Sequence, residues 1–279
     1  YNVTGTTLVS GGTANLTGTL ASIGTLLNIT SGTGNLSGSS TSVASYTQSG
    51  GTLTGSGTVT VSGAASWSGG TMSGTGSTVT NGTLSVSGAG DKLLTGRTLN
   101  TAGATTWSAG RLRVEQGGTI SNTGTWDAQS NDAIVTDQGA GSFTNTATGI
   151  FRKTVGSGTT SIGGTVCVVF CSGSAVAFNN AGAVDVQSGT LLLLGGGTSS
   201  GSFSGAGTLN FGGGTHTLDA ASSVTNSNTT FSGGTANLAG SYNVTGTTLV
   251  NGGTANLTGT LASIGTLLNI NSGTANLSG

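Results

Sequence analysis

The chain has 279 residues, with 55 glycines, no proline and only 5% charged residues, against about 25% charged and about 7% glycine in ordinary globular proteins. Six basic and seven acidic residues leave a net charge of -1, which excludes a basic surface for nucleic acid and an electrostatic grip on anionic lipid. With 33% hydrophobic residues, one large core cannot be filled, and the composition calls for small apolar patches buried repeatedly along the length.

Residues 1 to 38 return at 242 to 279 with three changes, Ser10 to Asn251, Thr30 to Asn271 and Gly34 to Ala275, so a 241-residue unit is duplicated. Such near-identity points to recent duplication, and we read the chain as a segment of a longer array. Within the unit lies a shorter step. Ser-Gly-Gly-Thr or a close variant ends at Thr13, Thr33, Thr52 and Thr71, and again at Thr215, Thr235, Thr254 and Thr274, so the step within each set is always 19 or 20. From Trp67 to Trp107 the spacing is 40 and from Trp107 to Trp126 it is 19, two steps and one, which predicts that the phase is carried through the divergent middle.

Between these marks run short alternating segments such as Thr52 to Thr54, Thr58 to Ser62, Gly82 to Ser87 and Gly189 to Leu194. Period-two alternation of aliphatic and β-branched residues, punctuated by Gly and Asn, predicts strands and turns, and no window predicts a helix. A coil of this length with two or three short strands is the rung of a solenoid. The predicted fold is a single continuous all-β, right-handed parallel β-solenoid over 1–279, with handedness taken from the general rule for parallel crossovers. About 14 rungs at roughly 4.8 Å make a rod about 65 to 70 Å long. Leu and Val should point inward, with Thr, Ser and Asn outward. Proline is excluded because stacked rungs use nearly every backbone N–H.

Candidate chemistry is sparse. Gly88-Ala-Gly-Asp91 echoes a calcium-binding nonapeptide but occurs once. The densest charge cluster is Arg111, Arg113 and Glu115 with Asp127, Asp132 and Asp137 one rung on, a weak polar patch expected on the outside of the middle rungs and either solvated or holding a cation or sugar. A polysaccharide-degrading site would have to use these acids. Cys167 and Cys171 lie in an insertion around 165–173, where a small loop disulfide is the favoured reading ahead of free thiols and a metal. The apolar runs Val166 to Cys171 and Leu191 to Leu194 are too short to insert in a membrane. His216 is the single histidine, with Asp219 shortly after it, and THTLD reads as a strand rather than as part of a catalytic triad. We expect no catalytic residue, cofactor or metal. Asn-x-Thr/Ser sites, Asn15, Asn35, Asn256 and Asn276 among them, are read as stacked asparagine ladders. Thr58-Val-Thr60, Thr78-Val-Thr80 and Thr215-His-Thr217 are the strands that an ice- or polysaccharide-binding face would use.

Segments such as Phe151-Arg-Lys-Thr-Val-Gly-Ser-Gly-Thr-Thr, Phe178-Asn-Asn-Ala-Gly-Ala-Val-Asp-Val-Gln-Ser-Gly-Thr-Leu and Phe203-Ser-Gly-Ala-Gly-Thr-Leu-Asn-Phe-Gly-Gly-Gly-Thr-His resemble the β-strand repeats of giant bacterial extracellular proteins. They are more loosely similar to autotransporter passenger and filamentous-haemagglutinin-type adhesin repeats. The resemblance implies secretion, a right-handed β-helix and a role in adhesion, stalks, sheaths or fibres. The expected function is a non-enzymatic rod, stalk or filament at a bacterial cell surface. Its partners are other solenoid segments, end to end or side by side, and possible surface glycans. A binding module is the alternative, and a polysaccharide-degrading enzyme comes last.

Overall fold

Aliphatic and polar residues alternate here over only a few positions before a Gly, Ser or Asn intervenes, so a strand is started and then turned before it can lengthen. The structure, a computed structural model, describes residues 1–38, 40–165 and 174–279. All of its strand pairings are parallel, and it contains no helix among the described residues. Cys167, Cys171 and nearly all of the predicted insertion lie outside the described residues.

Three strands make one rung. Val59–Val61, Ala65–Trp67 and Gly70–Ser73 form one, and Ser77–Thr80, Leu84–Val86 and Lys92–Thr95 the next. Thr78 sits on Val59, Leu84 on Ala65 and Lys92 on Gly70, which defines three stacked faces, A, B and C in chain order. About 13 turns result, a parallel β-solenoid as predicted. They are fewer than the step of 19 or 20 implies because the middle rungs are longer. On face B the step from one strand to the next is 19 from Ala65 to Leu84, 21 from Leu84 to Thr105, 25 from Thr125 to Ile150 and 33 from Ile150 to Ala183.

The core is a set of inward ladders. On face B, Trp67, Val86 and Trp107 share one column, which continues to Ala128 and Lys153. Trp126 does not follow Trp107 in it; it pairs with Thr105, two residues before Trp107 in the same strand, in the column that runs from Leu84 and Thr105 on to Phe151 and Val184. The spacing of 19 between Trp107 and Trp126 is therefore a column change rather than one rung. The rings still meet, with Trp126, Phe143, Phe151 and Phe178 at centroid separations of 5.2 to 5.6 Å, mostly edge to face, a geometry worth roughly 0.5–1.5 kcal/mol per pair beyond area burial.

Not every threonine faces out. Thr78 and Thr80 are buried, as are Thr101, Thr105 and Thr160. Inward polar residues are tolerated where they find partners in the column. On face A, Asn122 Nδ2 donates to Asn145 Oδ1 at 2.8 Å and Asn145 Nδ2 to Asn180 Oδ1 at 2.9 Å. The same amides also reach the corner carbonyls of Ile150 and Ala183. Outward ladders form as predicted at Asn15–Asn35 and at Asn237–Asn256–Asn276.

The phase of the short repeat is not carried through the middle. Thr13, Thr33, Thr52 and Thr71 pair in sequence on face C, whereas Thr215, Thr235, Thr254 and Thr274 pair on face A. The slip falls between Thr190, still on face C, and Thr215, where the chain advances by one rung and one extra face. It is possible because the corner is made locally. Gly51 turns from B to C at φ +59 and Gly234 from C to A at φ +62, and a Cβ at either would collide with the glycine carbonyl of the rung below. Only glycine fits there, and its glycine neighbours travel with it.

Candidate functional site

Charge in this chain is concentrated in one band. All six cations fall between Lys92 and Lys153, and five of the seven acids between Asp91 and Asp137. The strands Lys92–Thr95 and Leu112–Glu115 of face C, with Thr125–Ala128 and Ile150–Lys153 of face B, carry six of these eleven charges, and Asp132 and Asp137 flank the face C strand Ala133–Thr136.

The expected patch resolves into separate ion pairs. Arg111 binds Asp91 through both nitrogens of one edge, Nε to Oδ1 at 3.0 Å and Nη2 to Oδ2 at 2.8 Å. Arg113 bridges two carboxylates, with Nε on Glu115 Oε1 at 2.7 Å and Nη2 on Asp137 Oδ2 at 3.0 Å. The backbone N–H of Asp137 also donates to Glu115 Oε1. Asp132 accepts the N–H of Gly110 at 2.7 Å, and Asp127 accepts Thr154 Oγ1 and Gln129 Nε2, with Arg152 Nε at 3.8 Å.

Arg113 and Asp127 alternate with the inward residues Leu112, Val114, Trp126 and Ala128 and so lie on the outer side of their strands, as expected, but Glu115, Asp127 and Asp137 have little contact with solvent. Glu115 takes its cation from its own strand, while Asp137 and Asp127 take theirs from the adjacent rung. Asp127 lies on face B, Asp132 at the corner before face C and Asp137 just after the face C strand, so the three do not converge on one point as a hydrolytic pair would. Among the described residues no group of three or more His, Cys, Asp or Glu side chains is placed to hold a metal.

A buried carboxylate that loses its cation is far costlier than the pair is worth. Arg113→Ala is therefore expected to lower the unfolding free energy by about 3 kcal/mol. Arg113→Lys, which can face only one of the two acids at bonding distance, should fall in between. Urea denaturation of the three proteins side by side measures this.

Sequence reading missed three fully buried cations. Lys92 Nζ donates to the carbonyls of Ser87, Gly88 and Gly90 at 2.7 to 2.9 Å. The loop that echoed a calcium site thus spends its carbonyls on an ammonium from its own chain. Burial lowers the Lys92 pKa, while Asp132 and Asp91 pull it back up. Lys153 Nζ is held by Val155 O and Asn131 Oδ1, and burial lowers its pKa too. Arg97 donates to four carbonyls and to Thr78 Oγ1. For Lys153 a signal existed: Phe151 points inward, and alternation sends the residue two places on to the same side.

His216 and Asp219 do not form a catalytic pair. The imidazole faces the core 5.0 Å from the Phe211 ring, while Asp219 is exposed at the corner and caps the N–H of Ala221. The Thr-x-Thr strands do not align either. Thr58, Thr60, Thr215 and Thr217 point outward, but Thr78 and Thr80 point inward, where Thr78 Oγ1 accepts Arg97 Nε. A surface depression of about 380 Å³ runs along face A past Thr144, Asn179, Thr198, Thr217 and Asp219.

Fold and site together define a parallel β-solenoid whose charges are gathered in one band of rungs. No protein-family model matches the chain, and neither a curated protein nor a solved structure matches it.

Proposed function

We propose that this chain is a structural segment of an extracellular rod, stalk or filament on or around a bacterial cell, serving adhesion or matrix formation and carrying out no catalysis. The observation that carries the reading is the repeat of residues 1 to 38 at 242 to 279. Tyr242 Oη and Thr248 Oγ1 meet at 2.7 Å as Tyr1 and Thr7 do at 3.0 Å, and Ser263 Oγ donates to Val244 O as Ser22 does to Val3 O. One unit therefore follows another without change of rung geometry. Stiffness comes from the continuous ladder, in which each rung contacts only its neighbours and length can grow without a new core. Electron micrographs of the purified chain should show rods about 60 Å long, and longer multiples of them, at roughly 4.8 Å per rung. Compact, rounded particles of a single size would remove the proposal.

The depression on face A favours a second reading, a surface that holds a polysaccharide through amide, hydroxyl and carboxylate groups. A glycan array with Asn179→Ala as the comparison separates the two, since a purely structural segment binds none of the glycans.

A further inference from the structure

The three faces of the solenoid differ chemically on the outside. On face A, nine successive pairings carry two outward columns, one from Thr58 to Thr254 and one from Thr60 to Asn256. The first holds Thr or Ser on every rung except where Ala177 and Gly196 stand, and the second holds Thr, Ser or Asn on every rung except at Val79. Neither column contains a charged side chain, and Asp219 lies past the strand Thr215–Leu218, at the corner. The outward column of face B, by contrast, runs through Asp127, Arg152 and Asp185, and that of face C takes in Leu93 and Arg113. The sequence conceals the array because Thr78-Val-Thr80 shows its signature with the opposite parity: Ser77 and Val79, not the threonines, take the outward places on that rung.

The groups of the array hold one another in place. Thr58 Oγ1 meets Ser77 Oγ at 2.9 Å, Ser142 Oγ donates to Thr119 Oγ1 at 3.2 Å, and Asn179 Oδ1 accepts both the N–H and the hydroxyl of Thr198. Threonine is also stiff about χ1, so little side-chain freedom remains to be lost when a ligand binds. Hydroxyls and carboxamides both donate and accept hydrogen bonds, as the hydroxyls of a sugar do.

Shape sets the direction of the ligand. Along a strand the outward row is two residues long before the corner, whereas along the rod axis it continues for nine steps of roughly 4.8 Å, on the order of 40 Å in all. One pyranose unit of an extended chain is close to one such step in length. The depression past Thr144, Asn179, Thr198 and Thr217 follows the second column over four of these rungs. We infer that face A binds a linear, uncharged polysaccharide lying along the rod axis, one sugar to a rung, with its hydroxyls matched to the two columns of Thr, Ser and Asn. This rests on the polysaccharide reading of the depression and adds the class of glycan, its direction and the length of chain engaged. A charged polymer finds no counter-charge in either column. An ice plane requires a flat face, which the depression interrupts.

Isothermal titration calorimetry of the whole chain, with length series of cello-, xylo-, manno- and chito-oligosaccharides, tests this. In the series that binds, an oligomer of about eight units is expected to bind at least about ten-fold more tightly than one of about four, because it engages rungs on both sides of the depression. Its affinity should be the same at low and high salt, since no ion pair forms. Ser121→Glu and Asn237→Glu together place a charge in the second column one rung before Thr144 and one rung after Thr217. The double variant should lose the gain with length and keep the affinity for the short oligomer, while Ser85→Glu, outward on face B, should change neither. Circular dichroism checks that each variant folds. Affinity that stops growing once the depression is filled, or a gain with length that S121E/N237E leaves intact, would overturn the axial array and leave the depression as a local glycan site. Preference for uronate or sulfated chains, lost in salt, would overturn the uncharged class and leave the polysaccharide reading standing. Absence of binding to every series would remove this inference and that reading together, and thermal hysteresis in the same protein would then assign face A to ice.

Discussion

Replacing Arg97 by alanine is expected to remove about 4 kcal/mol of stability, combining a core cavity with the orphaning of buried acceptors. The guanidinium is fully buried and bonds to groups on two earlier rungs: Gly55 O and Gly57 O on one, Ser73 O, Ser77 O and Thr78 Oγ1 on the next, at 2.7 to 3.2 Å. It therefore laces three rungs together through their corners. Its bonding partners are all neutral, and burial lowers its pKa to about 10, with Tyr46 pulling the other way. The sign follows from linkage. A base whose folded pKa lies below its unfolded value destabilises the fold while both states are charged, which holds at neutral pH. At neutral pH the cation is a net electrostatic cost that its hydrogen bonds offset, so deleting the bonds and leaving the acceptors buried is the unfavourable change. Arg97→Lys should lose about half as much, since one ammonium cannot reach both corners. Because a solenoid opens in local units, the decisive measurement is amide hydrogen exchange. Protection should fall over residues 53 to 101 and remain unchanged over 208 to 257; a uniform loss would contradict the lacing role.

The rung, the parallel stacking and the outward asparagine ladders were legible because they depend on local alternation and on corner glycines, both of which the sequence displays directly. The phase slip was not. Corners at Gly51 and Gly234 look alike in sequence while turning between different faces, and nothing short of counting strands through the irregular rungs between Thr125 and Ala183 reveals which face follows. Trp126 misled for the same reason, since a spacing of 19 from Trp107 fits both one rung and a column change. The charge band was half legible. The acids and cations could be seen to cluster, but burial of Glu115 and Asp137 depends on which strand position faces the neighbouring rung. Lys92 is harder still: in Lys-Leu-Leu-Thr either leucine could be the inward one, and the parity that buries Leu94 buries Lys92 with it. The loop carbonyls of Ser87, Gly88 and Gly90 make that acceptable, a pairing between a loop and a strand that no spacing rule anticipates.

Acidification is expected to weaken the solenoid through His216, by on the order of 3 kcal/mol between pH 6.5 and 4. The imidazole is buried against Phe211, and its column neighbours Gly197 and Ala236 are small enough to leave it room. Burial lowers its pKa to about 4, against the opposing effect of backbone hydrogen bonds to Leu193 and Gly213. For a base held neutral in the fold, the unfolded chain binds the extra proton first. Stability is therefore complete above the ordinary histidine pKa and drains away as pH falls through the window down to the folded value. The carboxylates also titrate on the acid side, so the test is a difference. His216→Leu keeps the side-chain volume and abolishes the titration, and its urea midpoint should change less with pH than that of the unsubstituted chain between pH 6.5 and 4. The two curves should run parallel at neutral pH and above. Parallel curves throughout would mean that the ring is hydrated in solution and that the column at Gly197 and Ala236 admits water.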